Sequence, residues 1–253
     1  MKVSIITVCF NSENTIKDTI NSVLSQNYPD IEYIIIDGQS TDNTCQIIHT
    51  YANKIYKYIS EPDKGIYDAM NKGIKFSNGE VIGLLNSDDV FANNNIISTM
   101  VKSIENYDVI YADIAFYKKH DLQNPLRHFS SRHFKPGQLS RGLMPAHPSL
   151  YVRKSVYTKF GFYDISYLLC ADFDFMCRIF NHTELKWKYI DVLAVKMRIG
   201  GSSTRNLFVQ FFINKEKISI CKKNNISSGW LHMLSRYPYR LLGYIFKKQN
   251  KAS

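Results

Sequence analysis

The chain has 253 residues, enough for one large or two small folded domains with a substantial core. Its 45% apolar and 13% aromatic content excludes a disordered chain. The net charge of +10 is unevenly placed: residues 205–253 hold ten Lys or Arg against one acid, Glu216, so the rest is nearly neutral. That distribution argues against a nucleic-acid binder and for a basic tail that meets an anionic surface. Five scattered cysteines, Cys9, Cys45, Cys170, Cys177 and Cys221, show neither zinc spacing nor a disulfide framework, which points to a reducing compartment. Lys2 followed by Val3–Phe10 lacks a small-residue cleavage site and reads as a first strand, not a signal peptide. No run of about 18 apolar residues predicts a spanning helix.

The first third alternates strand and helix patterns. Val3–Phe10 reads as a strand. Thr15–Gln26 sets Ile16, Ile20, Val23 and Leu24 on one helical face, with Asn14 as its cap. Ile31–Ile36 is a strand ending at Asp37, and Asn43–Ala52 a helix striped by Ile47, Ile48 and Tyr51. Ile55–Ser60 is a third strand, running into Glu61-Pro62-Asp63. Ile66–Phe76 is a third helix, with Ile66, Ala69, Met70, Gly73 and Ile74 inward, and Val81–Leu85 a fourth strand. This alternation predicts right-handed crossovers and a mostly parallel sheet with helices on both faces. Ligands of such sheets bind beyond the carboxyl ends of the strands. Asn11, Asp37, Asp63 and Asp88 fall at those ends.

The fourth strand runs into Asn86-Ser87-Asp88-Asp89. Two adjacent carboxylates repel, so the turn asks for a cation, and hard oxygen donors suit Mg²⁺ or Mn²⁺. No GxGxxG follows the first strand and no Walker-type loop occurs, so phosphates must be held by a metal and by side chains. Beyond Ala112 the pattern loosens. His120 to Gly142 is polar and basic and reads as a mobile loop, either a solvated linker or a contact to an acceptor phosphate. Leu150–Val152 and Trp187–Val195 read as strands, and Asp172–Asn181 as a helix.

These residues resemble the large inverting glycosyltransferase family two, of GT-A fold, over roughly residues 1–205. The resemblance rests on Val3-Ser4-Ile5-Ile6-Thr7-Val8, on Ile36-Asp37-Gly38-Gln39-Ser40-Thr41-Asp42, and on Asp63-Lys64-Gly65-Ile66-Tyr67-Asp68-Ala69-Met70-Asn71-Lys72-Gly73. It continues through Gly79-Glu80, Asn86-Ser87-Asp88-Asp89, Ala146-His147-Pro148-Ser149, Ala171-Asp172-Phe173-Asp174 and Gly200-Gly201-Ser202. The likeness is greatest to bacterial enzymes that build O-antigen, capsule or exopolysaccharide units.

The resemblance implies a donor-binding half at 1–113 and an acceptor-binding half at 114–205; the residues beyond read as a basic amphipathic C-terminal helical tail at 206–253. It implies that Thr7, Asn11, Asp37 and Asp63 serve the nucleotide, usually uracil-bearing, and that Asp68 and Lys72 line the donor pocket rather than forming a solvated pair. Asp88 becomes the metal ligand of the family's DxD motif, with Asp89 binding metal through water or capping the next element. Asn86 stands where the motif carries its first aspartate, a weaker metal ligand that still bonds a ribose hydroxyl. The metal is Mn²⁺ or Mg²⁺. Asp172 takes the place of the family's general base, although Ala171 stands where a glutamate often precedes it. Asp174, two residues on, is expected to point elsewhere. His147 contacts a phosphate or the acceptor, or is structural. A loop at residues 200–205 closes over the diphosphate, with Arg198 or Arg205 supplying positive charge.

In the tail, Leu207–Ile220 is apolar and aromatic on one side, with Lys215, Lys217, Lys222 and Lys223 following, and Trp230–Phe246 repeats the theme, with Pro238 a kink. Basic amphipathic helices with Trp and Phe lie in a membrane interface, each cation adding about 1 kcal/mol against an anionic leaflet. The expected partners are therefore a nucleotide-sugar donor, a lipid-linked saccharide acceptor and the cytoplasmic face of the bacterial inner membrane, with no nucleic acid. The alternatives are sugar transfer to polyprenyl phosphate and an inactive nucleotide-sugar-binding subunit.

Overall fold

The computed structural model describes residues 1–200 and 207–236. Arg205 and the expected helix beyond residue 236 lie outside the described residues. The first half holds strands β1 (Val3–Cys9), β2 (Ile31–Asp37), β3 (Lys57–Ser60) and β4 (Val81–Leu84) with helices α1 (Ile16–Leu24), α2 (Thr44–His49) and α3 (Ile66–Phe76). β5 (Val90–Phe91), α4 (Ile96–Ile104), β6 (Val109–Lys118) and β7 (Asp121–Phe129) follow. The rest comprises β8 (Tyr151–Arg153), α5 (Lys154–Phe160), α6 (Ala171–Phe180), β9 (Trp187–Arg198) and α7 (Leu207–Lys223). Residues 230–236 are also helical.

One nine-stranded sheet runs β3-β2-β1-β4-β8-β6-β9-β5, with β7 added to β6. β1 to β4 are mutually parallel, as alternating strand and helix dictates. The second half is mixed: β8 is antiparallel to β4 and β6, and β9 is parallel to β6. Strand residues feed both faces in turn. Ile6, Val8, Ile34 and Ile36 join α3, α5, α6 and α7 in one core, while Val3, Ile5, Tyr33 and Ile35 join α1, α2 and α4 in the other. Near-continuous apolar strands are what burial on both faces requires.

Two expectations are corrected. Residues 121–129 are no mobile loop but β7, antiparallel to β6 from Ile114↔Phe129 to Lys118↔Asp121. Its exposed face, Pro125 and basic residues hide a strand that is held mainly by pairing to β6. Residues 207–236 pack on the body. Ile213, Ile220, Cys221 and Met233 are buried in the core with Phe173, Met176 and Phe180 of α6. At Gly142 (φ 70°), a Cβ would lie 2.7 Å from Arg236 Nη1, 2.8 Å from Met233 Sδ and 3.1 Å from Lys217 Cδ. Only glycine allows so close an approach in that backbone conformation. At α1, Thr15 and not Asn14 occupies the cap, with no side-chain capping bond.

Candidate active site

A cleft of about 980 Å³ opens at the carboxyl ends of β1 and β4 and is closed opposite by α6 and α7. Asn11, Asp63, Asn86, Ser87, Asp88, His147 and Asp172 all line it. Parallel pairing aligns the strand tips that carry the first five, and the register sets Cys9 beside Asp37 and Asp37 beside Ser60.

The loop after β4 is fixed from behind. Thr19 of α1, fully buried, has its hydroxyl 2.9 Å from the Ser87 carbonyl and 2.7 Å from the Asp89 carbonyl. The hydroxyls of Ser12 and Ser87 lie 2.8 Å apart. Arg198 at the end of β9 donates to the Asp88 carbonyl at 2.7 Å. Burial raises the Asp88 carboxyl above the usual range, only partly offset by Arg198. Asp89 is raised further, by complete burial and then by the Asp88 charge. Among the described residues its Oδ1 has no hydrogen-bond partner, and Asn86 Nδ2 lies 3.4 Å from Oδ2. The two adjacent acids thus separate: Asp88 lines the cleft and Asp89 sits behind it.

This donor set fits a divalent cation in part. Asn86, Ser87 and Asp88 offer hard oxygens at the cleft, and two crowded buried carboxylates gain from a nearby positive charge. Among the described residues no group of three or more His, Cys, Asp or Glu could enclose a metal. The remaining ligands must then be water and substrate oxygens, the usual habit of Mg²⁺.

Several expected nucleotide contacts are engaged elsewhere. Thr7 is fully buried, and its hydroxyl meets Tyr33 OH at 3.1 Å. Asp37 is also fully buried, accepting from Ser40 N at 2.9 Å and Ser60 Oγ at 2.6 Å, with both Cys9 and Cys45 thiols beside it. Burial works to raise its carboxyl, but the Ser40 and Ser60 donors outweigh that and hold it below the usual range. Its carboxylate organises the Ser40 turn, which in turn holds Asn11 (φ 49°) through Ser40 Oγ at 2.8 Å and Thr41 N at 2.9 Å. Asp68 and Lys72 brace the turn before α3, not the pocket. Asp68 accepts from Lys64 N at 3.0 Å, and Lys72 reaches Pro62 O at 2.8 Å and Glu61 at 2.9 Å. That turn delivers Asp63, whose Oδ2 lies 2.5 Å from where a Gly38 Cβ would stand.

Across the cleft, Asp172 lies in the first turn of α6. Its Oδ1 accepts from Phe173 N at 2.8 Å and from Tyr67 OH at 3.1 Å. Asp174 is buried and paired with Arg178 at 2.9 Å. His147 Nε2 lies 2.8 Å from Tyr163 OH, and burial lowers its pKa against a smaller opposing pull from Asp172. His147 thus lines the cleft while bonded to Tyr163. Arg198 is likewise committed, to Asp18 at 2.6 Å as well as Asp88. Sequence reasoning passed over Tyr67, although it stands inside the motif that carried the resemblance. Lys217 and Arg236, which also line the cleft, had been assigned to the tail.

The profile of Glycosyl transferase family 2 matches residues 4–163, from β1 to just beyond α5. This chain belongs to glycosyl transferase family 2. A PGL/p-HBAD biosynthesis glycosyltransferase of Mycobacterium bovis is 25% identical over 228 residues, covering 85% of this chain and 84% of that protein. The structure of S. aureus TarS 1–349 in complex with UDP-GlcNAc superimposes with a TM-score of 0.66 at 20% identity, covering 86% of this chain and 67% of that one. Mannosyltransferase PcManGT from Pyrobaculum calidifontis, in complex with GDP-Man and Mn²⁺, gives 0.58 at 14%, covering 76% of this chain and 56% of that one. The chain thus spans most of its mycobacterial relative but only about two thirds or less of the solved chains. As a member of this family it is a glycosyltransferase of GT-A-like α/β fold with a mixed sheet.

Proposed function

We propose that this glycosyltransferase moves a sugar from a UDP-sugar to a hydroxyl of a lipid-linked saccharide, with inversion and with Mn²⁺ or Mg²⁺ bound. One observation carries the reading: Asn86-Ser87-Asp88 and Asp172 line the same cleft, one group at the tip of β4 and the other in the first turn of α6. Asn11 and Asp63 stand at the donor end and would meet the nucleoside. Asn86 and Asp88 would hold the cation and the diphosphate; a divalent ion there offsets the charge that gathers on the leaving group. Asp172 takes the proton of the attacking hydroxyl. The oxygen then bonds the anomeric carbon on one face, while the bond to the diphosphate breaks on the other and its electron pair leaves with the diphosphate. A proton acceptor on the face opposite the leaving group inverts the centre, by the geometry that governs inverting glycoside hydrolysis. The UDP assignment draws on the TarS complex, and the metal on the mannosyltransferase complex with Mn²⁺.

The acceptor class draws on the apolar surface beside the cleft. Leu168 lines the cleft at 77% exposure, and α7 adds Phe208, Phe211 and Phe212 to exposed Trp230, Leu231 and Leu234. No helix among the described residues is long and apolar enough to cross a membrane. Peripheral docking on the cytoplasmic leaflet through this surface and its basic neighbours would bring a lipid-carried acceptor of bacterial surface polysaccharide to Asp172.

The deciding experiment is a panel of nucleotide sugars with Mn²⁺, Mg²⁺ or EDTA, scoring nucleoside diphosphate release with and without lipid-linked saccharides. UDP release that needs both metal and Asp172 is expected. Metal-independent release, or turnover unchanged by Asp172→Ala, would refute the mechanism.

A further inference from the structure

We propose that Tyr67 is a positioning residue: its hydroxyl fixes one oxygen of Asp172 so that the other takes the acceptor proton. The inference rests on Asp172 being the base.

An aspartate carboxylate turns readily about its last torsion, which is broad and two-fold. In the first turn of a helix that freedom would leave both oxygens sweeping the cleft. Here Oδ1 is held from two sides, by Phe173 N–H at 2.8 Å and Tyr67 OH at 3.1 Å. Oδ2 accepts no hydrogen bond among the described residues, while Asp172 as a whole lines the cleft. A carboxylate so tethered offers one oxygen in one place.

Tyr67 is itself fixed. Its hydroxyl is shared with the Leu169 carbonyl at 3.0 Å, two residues before α6 begins. Its ring lies 5.8 Å from that of Tyr163, which is held by His147 at 2.8 Å and by Asn71, whose Oδ1 receives the Tyr163 N–H at 3.0 Å. Burial, and then the Asp172 charge, push the Tyr67 phenol well above its usual range, so it stays a donor. Its position in the fold gives the contact its use. Tyr67 is the second residue of α3, directly behind the turn that presents Asp63. The donor end of the cleft and the base across it are thereby set against each other through one phenol, although 105 residues separate the partners in sequence. Placing a reacting group to within about 1 Å is worth up to roughly a hundredfold in rate.

The test is Tyr67→Phe, which keeps the ring and removes the hydroxyl. We expect kcat to fall between about 10- and 100-fold while donor KM and UDP affinity stay within error of wild type. In an Asp172→Asn background the same change should leave residual kcat within about twofold, because the group it orients is gone. Unchanged kcat for Tyr67→Phe would overturn the proposal, as would an equal loss in both backgrounds. Wild-type turnover by Asp172→Asn alone is a different failure: it removes the base assignment itself.

Discussion

The guanidinium of Arg198 donates to the Asp88 carbonyl at 2.7 Å and pairs with Asp18 at 2.6 Å, while its Nε reaches Lys119 O at 3.0 Å. The end of β9 thus clamps the loop after β4 to α1 and to the β6–β7 hairpin. Arg198 is 5% exposed, so removing it takes a buried donor from two carbonyls and one carboxylate at once. Arg198→Met should cost about 2–3 kcal/mol in urea unfolding and weaken Mn²⁺ binding. Arg198→Lys should recover little, since an ammonium cannot reproduce three forked donors. A Mn²⁺ isotherm unchanged in either variant would separate this clamp from the Asp88 site.

Asp88 and Asp89 are both raised by burial, Asp89 also by its neighbour. A carboxyl raised in the folded state lends stability below its unfolded value, near pH 4, and that stability is lost as pH rises through the folded value. The metal-free protein therefore carries an electrostatic cost at neutral pH that a divalent ion offsets. Adding Mn²⁺ should raise Tm more at pH 8 than at pH 5, and EDTA should reverse it. Asp88→Asn should raise the metal-free Tm at pH 8 and abolish the response. Scanning fluorimetry with and without Mn²⁺ checks this.

His147 titrates with the opposite sense. Its folded pKa is lowered by burial. Its contribution is complete above the unfolded value of about 6.5 and falls away as pH drops below it. Melts between pH 8 and pH 5 should show a decline that His147→Gln flattens. An identical pH profile in the variant would mean that other groups carry the acid lability.

Asp172→Asn should lower kcat by about 100- to 10,000-fold, the span ordinarily attributed to a general base. UDP affinity by calorimetry should be unaffected, because Asp172 lies across the cleft from the donor end. Loss of UDP binding would mark it as a structural acid instead.

Phe211 and Trp230 stack with centroids 5.1 Å apart, both on the exposed apolar surface. Replacing both with Ser should cut flotation with anionic phospholipid vesicles severalfold while leaving Tm nearly unchanged. Equal flotation of wild type and variant would remove this surface as the membrane contact.

Much of the parallel first half is legible in the chain because its signals are local. Apolar strands ending in Asn11, Asp37, Asp63 and Asp88 give the sheet direction and the rim together. What eluded sequence reading is tertiary. Adjacent Asp88 and Asp89 look equivalent until burial divides them. Thr7 and Asp37 lie at the right level of the sheet, yet Tyr33 and the Ser40 turn claim them, and no spacing rule records which hydroxyl an acid will find. The Asp68 and Lys72 spacing does predict neighbours on a helix, but not that Glu61 and Pro62 would take the lysine. β7 has a polar, Pro-containing sequence that only its pairing with β6 makes a strand.

Lys217 and Arg236 crowd Gly142 at the wall of the cleft, and the helices that bring them also seal the underside of α6. A shortened version cut near residue 206, tempting because it discards an oily surface, would unroof the reaction chamber and leave α6 uncovered. Better-behaved material should come instead from exchanging outward-facing phenylalanines one at a time, with the chain left at full length.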